Sequence, residues 1–377
     1  MNPDADIVVV GGGPAGAAAA ISAAQNGLHT VLLDDRRRSD DQPGETLHPG
    51  VEPLFRKLGV DCAVKVASTI RHEGHWVTRG ERRSFLEFGR DQTGLWRGFQ
   101  IRRNDLRAIL AQKAIDTGVY IKQVRAIKPV FRRSKVFEVE TSGGVITCRI
   151  LIDASGATHW LARVRSTPIA FLSPPLVAWY GWAISDQAFR FAQPNLTLSN
   201  RGWCWIAQID SSVCAWARLN FSNKTAVRLT KPSILRDFKQ VRRERGVDVT
   251  WRMLATHAGD GFFHVGDAGG VLDPAASHGV LRALLTGMAA AWCSVRVLRF
   301  GHAPLAEAAS YSRWVEKDIG PGRRGPKDAL SRPAQFICWG FWDPGGELWR
   351  ECAAPMSDAG SRERLGSPNL LGAQTWK

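Results

Sequence analysis

No C-x-x-C pair occurs in this 377-residue chain. Its seven cysteines, at 62, 148, 204, 214, 293, 338 and 352, are odd in number and widely spread. That excludes a tight zinc ribbon and a dense disulfide scaffold; no metal site is expected, and the usage points to a reducing compartment. Internal repeats are missing as well. So are helix-turn-helix, RNA-binding and zinc-finger patterns, and no nucleic-acid partner is expected. The longest apolar stretch, residues 5–24, begins beside Asp4 and Asp6 and carries four glycines in its middle. A secretory n-region is positive, so the stretch reads as neither signal peptide nor membrane span. The expectation is a soluble, cytoplasmic protein.

What is present belongs to a globular protein. Hydrophobic residues make up 44% and charged residues 23%, which excludes disorder and collagen-like repeats. A chain of this length holds two or three domains, or one large α/β unit with an insertion, and can build its core without staples. The net charge of +15 is uneven: residues 126–265 hold 19 basic against 9 acidic side chains. A solvated basic surface is the plain reading, and a platform for an acidic partner the sharper one.

Residues 6–10 (Asp-Ile-Val-Val-Val) read as a short buried strand stopped by glycine. Ala17–Asn26 reads as an alanine-rich helix ending at Gly27, and Thr30–Asp34 as a second strand. Helices are expected at 50–59 and 103–117, and strands at 119–131, 135–141 and 145–153, the last two joined by a hairpin turn at Ser142-Gly143-Gly144. From about 160 to 257 antiparallel strands dominate (176–184, 195–209, 213–221), followed by a basic helix near 232–245. A strand at 261–267 and helices near 279–299 and 303–318 complete the body. Fifteen of the last 58 residues are Gly or Pro. Residues 320–377 therefore read as a loosely structured tail whose Trp339, Phe341, Trp342 and Trp349 pack on the body.

Gly11-x-Gly13-x-x-Gly16 follows the first strand and opens the first helix, the context a dinucleotide fingerprint requires. Gly11 permits the tight turn, Gly13 lets the backbone approach a pyrophosphate, and Gly16 allows close packing of helix on strand. Ala15 lies within the same loop. The helix N-terminus directs a partial positive charge at the phosphates. Asp34, 18 residues beyond Gly16, ends the second strand where a carboxylate binds ribose hydroxyls.

Three segments together resemble the signatures of FAD-dependent aromatic hydroxylases and flavin-dependent halogenases: Met1–Asp34, Asp153-Ala154-Ser155-Gly156, and Gly266-Asp267-Ala268-Gly269-Gly270-Val271-Leu272-Asp273-Pro274. Arg103-x-x-Leu106-x-x-x-Leu110 is similar to the arginine-led helix that touches FAD in those enzymes. The resemblance spans about residues 5–318. It implies a Rossmann-like α/β FAD-binding fold of the glutathione-reductase/aromatic-hydroxylase type, built from 1–158 and 258–319. An antiparallel substrate domain is inserted at 159–257. It further implies that Gly266, Asp267, Pro274, Gly279 and Val280 line the flavin, the last two at a helix N-terminus that stabilises negative charge on it.

Pro43-Gly44-Glu45-Thr46-Leu47-His48-Pro49-Gly50 resembles the Gly-Glu-(Ser/Thr)-Leu motif of halogenases, which places Glu45 and Thr46 beside the isoalloxazine. Trp203-Cys204-Trp205-Ile206 resembles the start of the halogenase Trp-x-Trp-x-Ile-Pro motif. Both tryptophans share one strand face, suited to core packing or to shielding a reactive intermediate. Two departures count against halogenation. Arg71-His72-Glu73-Gly74-His75-Trp76 lacks the essential lysine, and Ala276 replaces a glutamate ahead of the flavin helix. With Ser-His-Gly-Val-Leu-Arg-Ala-Leu at 277–284, the pattern is similar to a halogenase-like subgroup that matures quinoprotein oxidases. Those enzymes oxygenate a tryptophan of a partner protein, on the way to a tryptophylquinone, through a flavin C4a-hydroperoxide. His48, His72 and His278 are the candidate proton-handling groups, because imidazole titrates near neutral pH. The resemblance implies a protein substrate. With no second dinucleotide fingerprint, electrons come from transient NAD(P)H or from a separate flavin reductase. The alternatives are a halogenase or hydroxylase of a small aromatic molecule, and a non-catalytic flavin-binding maturation chaperone.

Overall fold

The computed structural model describes residues 3–35, 45–92, 94–131, 137–221 and 227–319. The strand Ala5–Val10 is buried along nearly its whole length. It pairs in parallel with Thr30–Leu33 on one side and Gly144–Asp153 on the other. Tyr120–Lys122 extends this sheet beyond Thr30–Leu33, and Phe262–His264 joins the far side of Gly144–Asp153, both in parallel. Runs rich in Val, Ile and Leu suit strands covered on both faces. The hairpin at 142–143 forms as expected, and Phe137–Thr141 and Ala126–Phe131 continue the sheet antiparallel.

One face is covered by Pro14–Gln25 and Gly279–Phe300, packed closely on each other. Gly287 makes the approach possible, since a Cβ there would lie 2.2 Å from the Ala15 carbonyl oxygen. Leu284, Met288 and Ala289–Ala291 join Ile7, Val9 and Ala17–Ala20 in one apolar cluster. Each fully buried Leu or Ile there contributes roughly 1.5–3 kcal/mol relative to exposure. Among the described residues Gly279–Phe300 is the one helix long and apolar enough to cross a membrane. Its burial against Pro14–Gln25 makes it a core helix.

The second large sheet runs in the order Lys239–Gln240, Val177–Ile184, Val213–Asn220, Gly202–Gln208, Asn195–Ser199, Gly74–Arg79, Arg82–Glu87. All pairs are antiparallel except Asn195–Ser199 with Gly74–Arg79. The sheet expected of 159–257 therefore takes a hairpin from the first chain segment, one that alternation alone did not reveal. A third, small sheet joins Glu45–Leu47, Gly98–Ile101 and Ile70–His72.

Three expected elements differ. The strand at 119–131 is two, Tyr120–Lys122 beside Thr30–Leu33 and Ala126–Phe131 beside Phe137–Thr141. The strand at 195–209 is two strands, broken where Ser199 Oγ accepts the Arg201 N–H. The basic helix near 232–245 does not form. Ser233–Leu235 is a single 3-10 turn, and Lys239–Gln240 and Arg245–Asp248 pair with the edge of Val177–Ile184. Of its apolar side chains Pro232, Leu235 and Phe238 are buried, too few for the stripe that holds an amphipathic helix. Asp61–Ala67 is a short helix the sequence pattern did not announce. The expected tail at 320–377 lies outside the described residues.

Candidate active site

The glycine loop separates into packing glycines and an open one. Gly11 has φ +111°, and a Cβ there would lie 2.3 Å from the Ala154 carbonyl oxygen. At Gly16 a Cβ would lie 1.9 Å from the Gly11 carbonyl oxygen. Gly13 is different: its φ is −75°, open to any residue, and a Cβ would meet nothing within 4 Å. Gly13 caps the helix without a side-chain hydrogen bond. The first-turn N–H groups face that opening, as a pyrophosphate site requires.

Asp34 accepts the Gly12 N–H at 3.3 Å and two bonds from Arg107 Nη2, at 3.0 Å to Oδ1 and 2.7 Å to Oδ2. Arg107 was not among the expected residues. Arg103, which was, opens the same helix one turn earlier, and that four-residue offset was the available signal.

Asp153 is fully buried at the end of its strand. It accepts N–H bonds from Ser155 and Leu161, each at 3.0 Å, and lies 3.2 Å from His264 Nδ1. Gly266, at φ +58°, packs against Ala15, and its N–H donates to Thr286 Oγ1 at 2.9 Å. Asp267 stands half-exposed beside it, 3.3 Å from Arg282. The first and third sequence signatures thus meet at Ala15.

His48, His72 and His278 converge, and His75 joins them. The His48 ring lies 5.1 Å from His278 and 5.2 Å from Phe88, while His72 and His75 lie 5.3 and 6.0 Å from Phe88. Gly98 leaves room for His72, whose ring would stand 2.5 Å from a Cβ at that position. The expectation that these imidazoles titrate near neutrality is not met. Burial pushes His48 down to about 3, with His278 and the other two histidines adding to it. Burial likewise holds His72 at about 4, and burial followed by Arg282 holds His278 at about 4. At pH 7 the cluster is neutral. Among the described residues no three His, Cys, Asp or Glu side chains form a metal site.

Two buried nitrogens here, His72 Nε2 and Gln100 Nε2, have no hydrogen-bond partner. Thr46 donates to Gln100 Oε1 at 2.9 Å; the Glu45 side chain lies outside the described residues. An orphaned buried polar atom costs about 1–3 kcal/mol, so the pair is suited to a polar ligand. Pro274 is exposed in a 3-10 turn that leads to Gly279 and Val280 at the head of the long helix. Asp273, missed from the sequence, has its carboxyl pushed up to about 6 by burial, against the opposing pull of the Ala275 N–H and the Trp203 indole. Trp203 and Trp205 pack in the apolar cluster of the second sheet.

Residues 6–39 match the family model described as FAD dependent oxidoreductase. A tryptophan 2-halogenase of Chondromyces crocatus is 26% identical over 307 residues, covering 71% of this chain and 56% of its own. The chain spans about half the length of the curated relatives it matches. The solved flavin-dependent brominase Bmp2 superposes with a TM-score of 0.74 at 20% identity, covering 88% of this chain and 89% of that one. The peptidyl tryptophan dihydroxylase QhpG, essential for tryptophylquinone cofactor biogenesis, gives a TM-score of 0.64 at 19% identity, covering 89% and 74%. These likenesses show the fold, a Rossmann-like α/β architecture shared with flavin halogenases. FAD is the cofactor, and the open Gly13 loop leaves the space its pyrophosphate needs.

Proposed function

We propose that this FAD-dependent oxidoreductase of the halogenase-like superfamily is a monooxygenase that hydroxylates a tryptophan side chain of a partner polypeptide, in the making of a tryptophylquinone. The observation that carries the reading is the makeup of the histidine cluster. Three neutral imidazoles, His48, His72 and His75, surround Phe88, a fourth, His278, packs on His48, and residues 70–79 hold no lysine. FAD, when bound and reduced, would supply the two electrons with which one atom of dioxygen enters an indole C–H bond and the other leaves as water. The chain's own part is positioning. Phe88 packs against an aromatic ring and excludes water, and the neutral histidines hydrogen-bond the indole N–H and the entering oxygen. Asp273 holds or releases a proton near neutral pH. Likeness to a peptidyl tryptophan dihydroxylase supports a protein substrate, and the 126–265 excess of cations suits an acidic one. Electrons arrive from transient NAD(P)H or a separate flavin reductase. A cytoplasmic site of action accords with the free thiols at 62, 148, 204, 214 and 293.

A second reading, halogenation of a small aromatic, is favoured by the tryptophan 2-halogenase relative. One experiment separates the two. With reduced FAD, oxygen and bromide, a tryptophan-containing peptide gains oxygen and free tryptophan yields no bromotryptophan. Regioselective bromination would restore the halogenase reading. A protein that binds FAD but reoxidises without product would be a chaperone.

A further inference from the structure

Trp203 and Asp273 come from different parts of the fold. Trp203 lies on Gly202–Gln208 in the second sheet, and Asp273 precedes the turn Pro274–Ala276, which runs through Ser277 and His278 into Gly279–Phe300. The Trp203 indole N–H donates to Asp273 Oδ1 at 3.1 Å, and the same oxygen accepts the Ala275 N–H at 3.0 Å. Trp203 and Ala275 are buried in one apolar cluster with Leu176, Leu198 and Trp251. Ser277 sits in the left-handed region at φ 54°, a conformation that a non-glycine residue keeps only where the surroundings enforce it.

We propose that Trp203 and Asp273 form a latch through which the second sheet fixes the turn 274–278, making Asp273 the positioning residue for the head of Gly279–Phe300 and for the flavin against it. This gives the first tryptophan of the Trp-x-Trp pattern a task that neither core packing nor shielding describes. The inference rests on the reading of that helix head as flavin-facing. It does not depend on which substrate is oxidised. Both donors to Oδ1 are uncharged, an indole and an amide, and burial leaves the carboxyl at about 6. Removing the indole donor raises it further.

The test is a double-mutant cycle on FAD affinity in the full chain, read by flavin fluorescence at pH 7. Trp203→Phe weakens FAD binding about tenfold, Asp273→Ala, which also loses the Ala275 N–H bond, at least as much, and the double variant no more than Asp273→Ala alone, because the shared contact is already gone. Asp273→Asn stays within about threefold, since its amide oxygen accepts both bonds. In the FAD-free protein, Trp203→Phe moves the stability transition near pH 6 upward, a shift that a packing role alone does not produce. A double variant weakened about tenfold beyond Asp273→Ala alone would make the two residues independent and overturn the latch. So would an Asp273→Asn protein as weak as Asp273→Ala. A shifted pH transition with unchanged FAD affinity in every variant would overturn the flavin-facing reading and leave the contact standing.

Discussion

Gly13 and Gly16 have the same side chain and opposite reasons for it, and a pair of substitutions separates them. Gly13 has φ −75° and ψ 179°, and a Cβ there meets no protein atom within 4 Å. Gly13→Val therefore leaves the FAD-free fold almost untouched. Loss of glycine entropy in the unfolded chain stabilises by about 0.4–1 kcal/mol, and a poorer N-cap cancels much of that. The net change stays within about 1 kcal/mol. FAD binding is another matter, because the added methyls occupy the space a pyrophosphate needs, and affinity falls at least about a hundredfold. Gly16→Ala behaves in reverse. Its Cβ would lie 1.9 Å from the Gly11 carbonyl oxygen and 3.0 Å from the Ala154 Cβ, so helix and strand must separate. Overpacking of that kind costs about 1–3 kcal/mol or more. Urea unfolding of the FAD-free proteins measures the first quantity, and fluorescence titration with FAD the second. A Gly13→Val protein that still fills with FAD would refute the reasoning, as would a Gly16→Ala protein as stable as its parent.

Arg107→Met removes both bonds to Asp34 and weakens FAD binding about tenfold. Stability falls by no more than about 1 kcal/mol, because the pair is partly exposed; unchanged affinity would detach Asp34 from the cofactor. The imidazoles of His48, His72 and His278 stay neutral from about pH 5.5 to about 8 in nitrogen-detected NMR, and a midpoint near the ordinary histidine value would contradict their burial. Asp273→Asn acts on the pH dependence of stability. The folded carboxyl, raised from 3.8 to about 6, binds its proton more tightly than the unfolded chain does, so its charge destabilises increasingly as pH rises through that window. The variant gains at most about 3 kcal/mol at pH near 8 and nothing below about pH 4, measured by urea unfolding; equal gains at both would refute the assignment.

The nucleotide-binding half was legible because its determinants are local. β-Branched runs, the glycine spacing and the alanine helix each act within a few residues, and Ala5–Val10, Pro14–Gln25 and Thr30–Leu33 fall close to where the pattern puts them. The histidine cluster was half legible. Three members could be named from motifs, but their convergence depends on Gly74–Glu87 folding back and on Glu45–Leu47, Gly98–Ile101 and Ile70–His72 sharing a sheet. Nothing in the spacing announces that, so His75 went unnamed and burial's effect on the imidazoles could not be foreseen. Arg107 and Asp273 were missed for the same reason, since their partners lie 73 and 70 residues away. The segment 232–245 misled because dense positive charge mimics a solvated helix face, whereas the open edge of Val177–Ile184 offered its backbone better partners.

Co-expression with the precursor of a quinone-cofactor oxidase, followed by intact-mass measurement of that precursor, tests the central claim most directly. The expected result is oxygen added at one tryptophan of the precursor, absent when Gly13→Val replaces the parent protein. A precursor that acquires its quinone without this protein would contradict it, as would a precursor left unchanged while free tryptophan is oxidised.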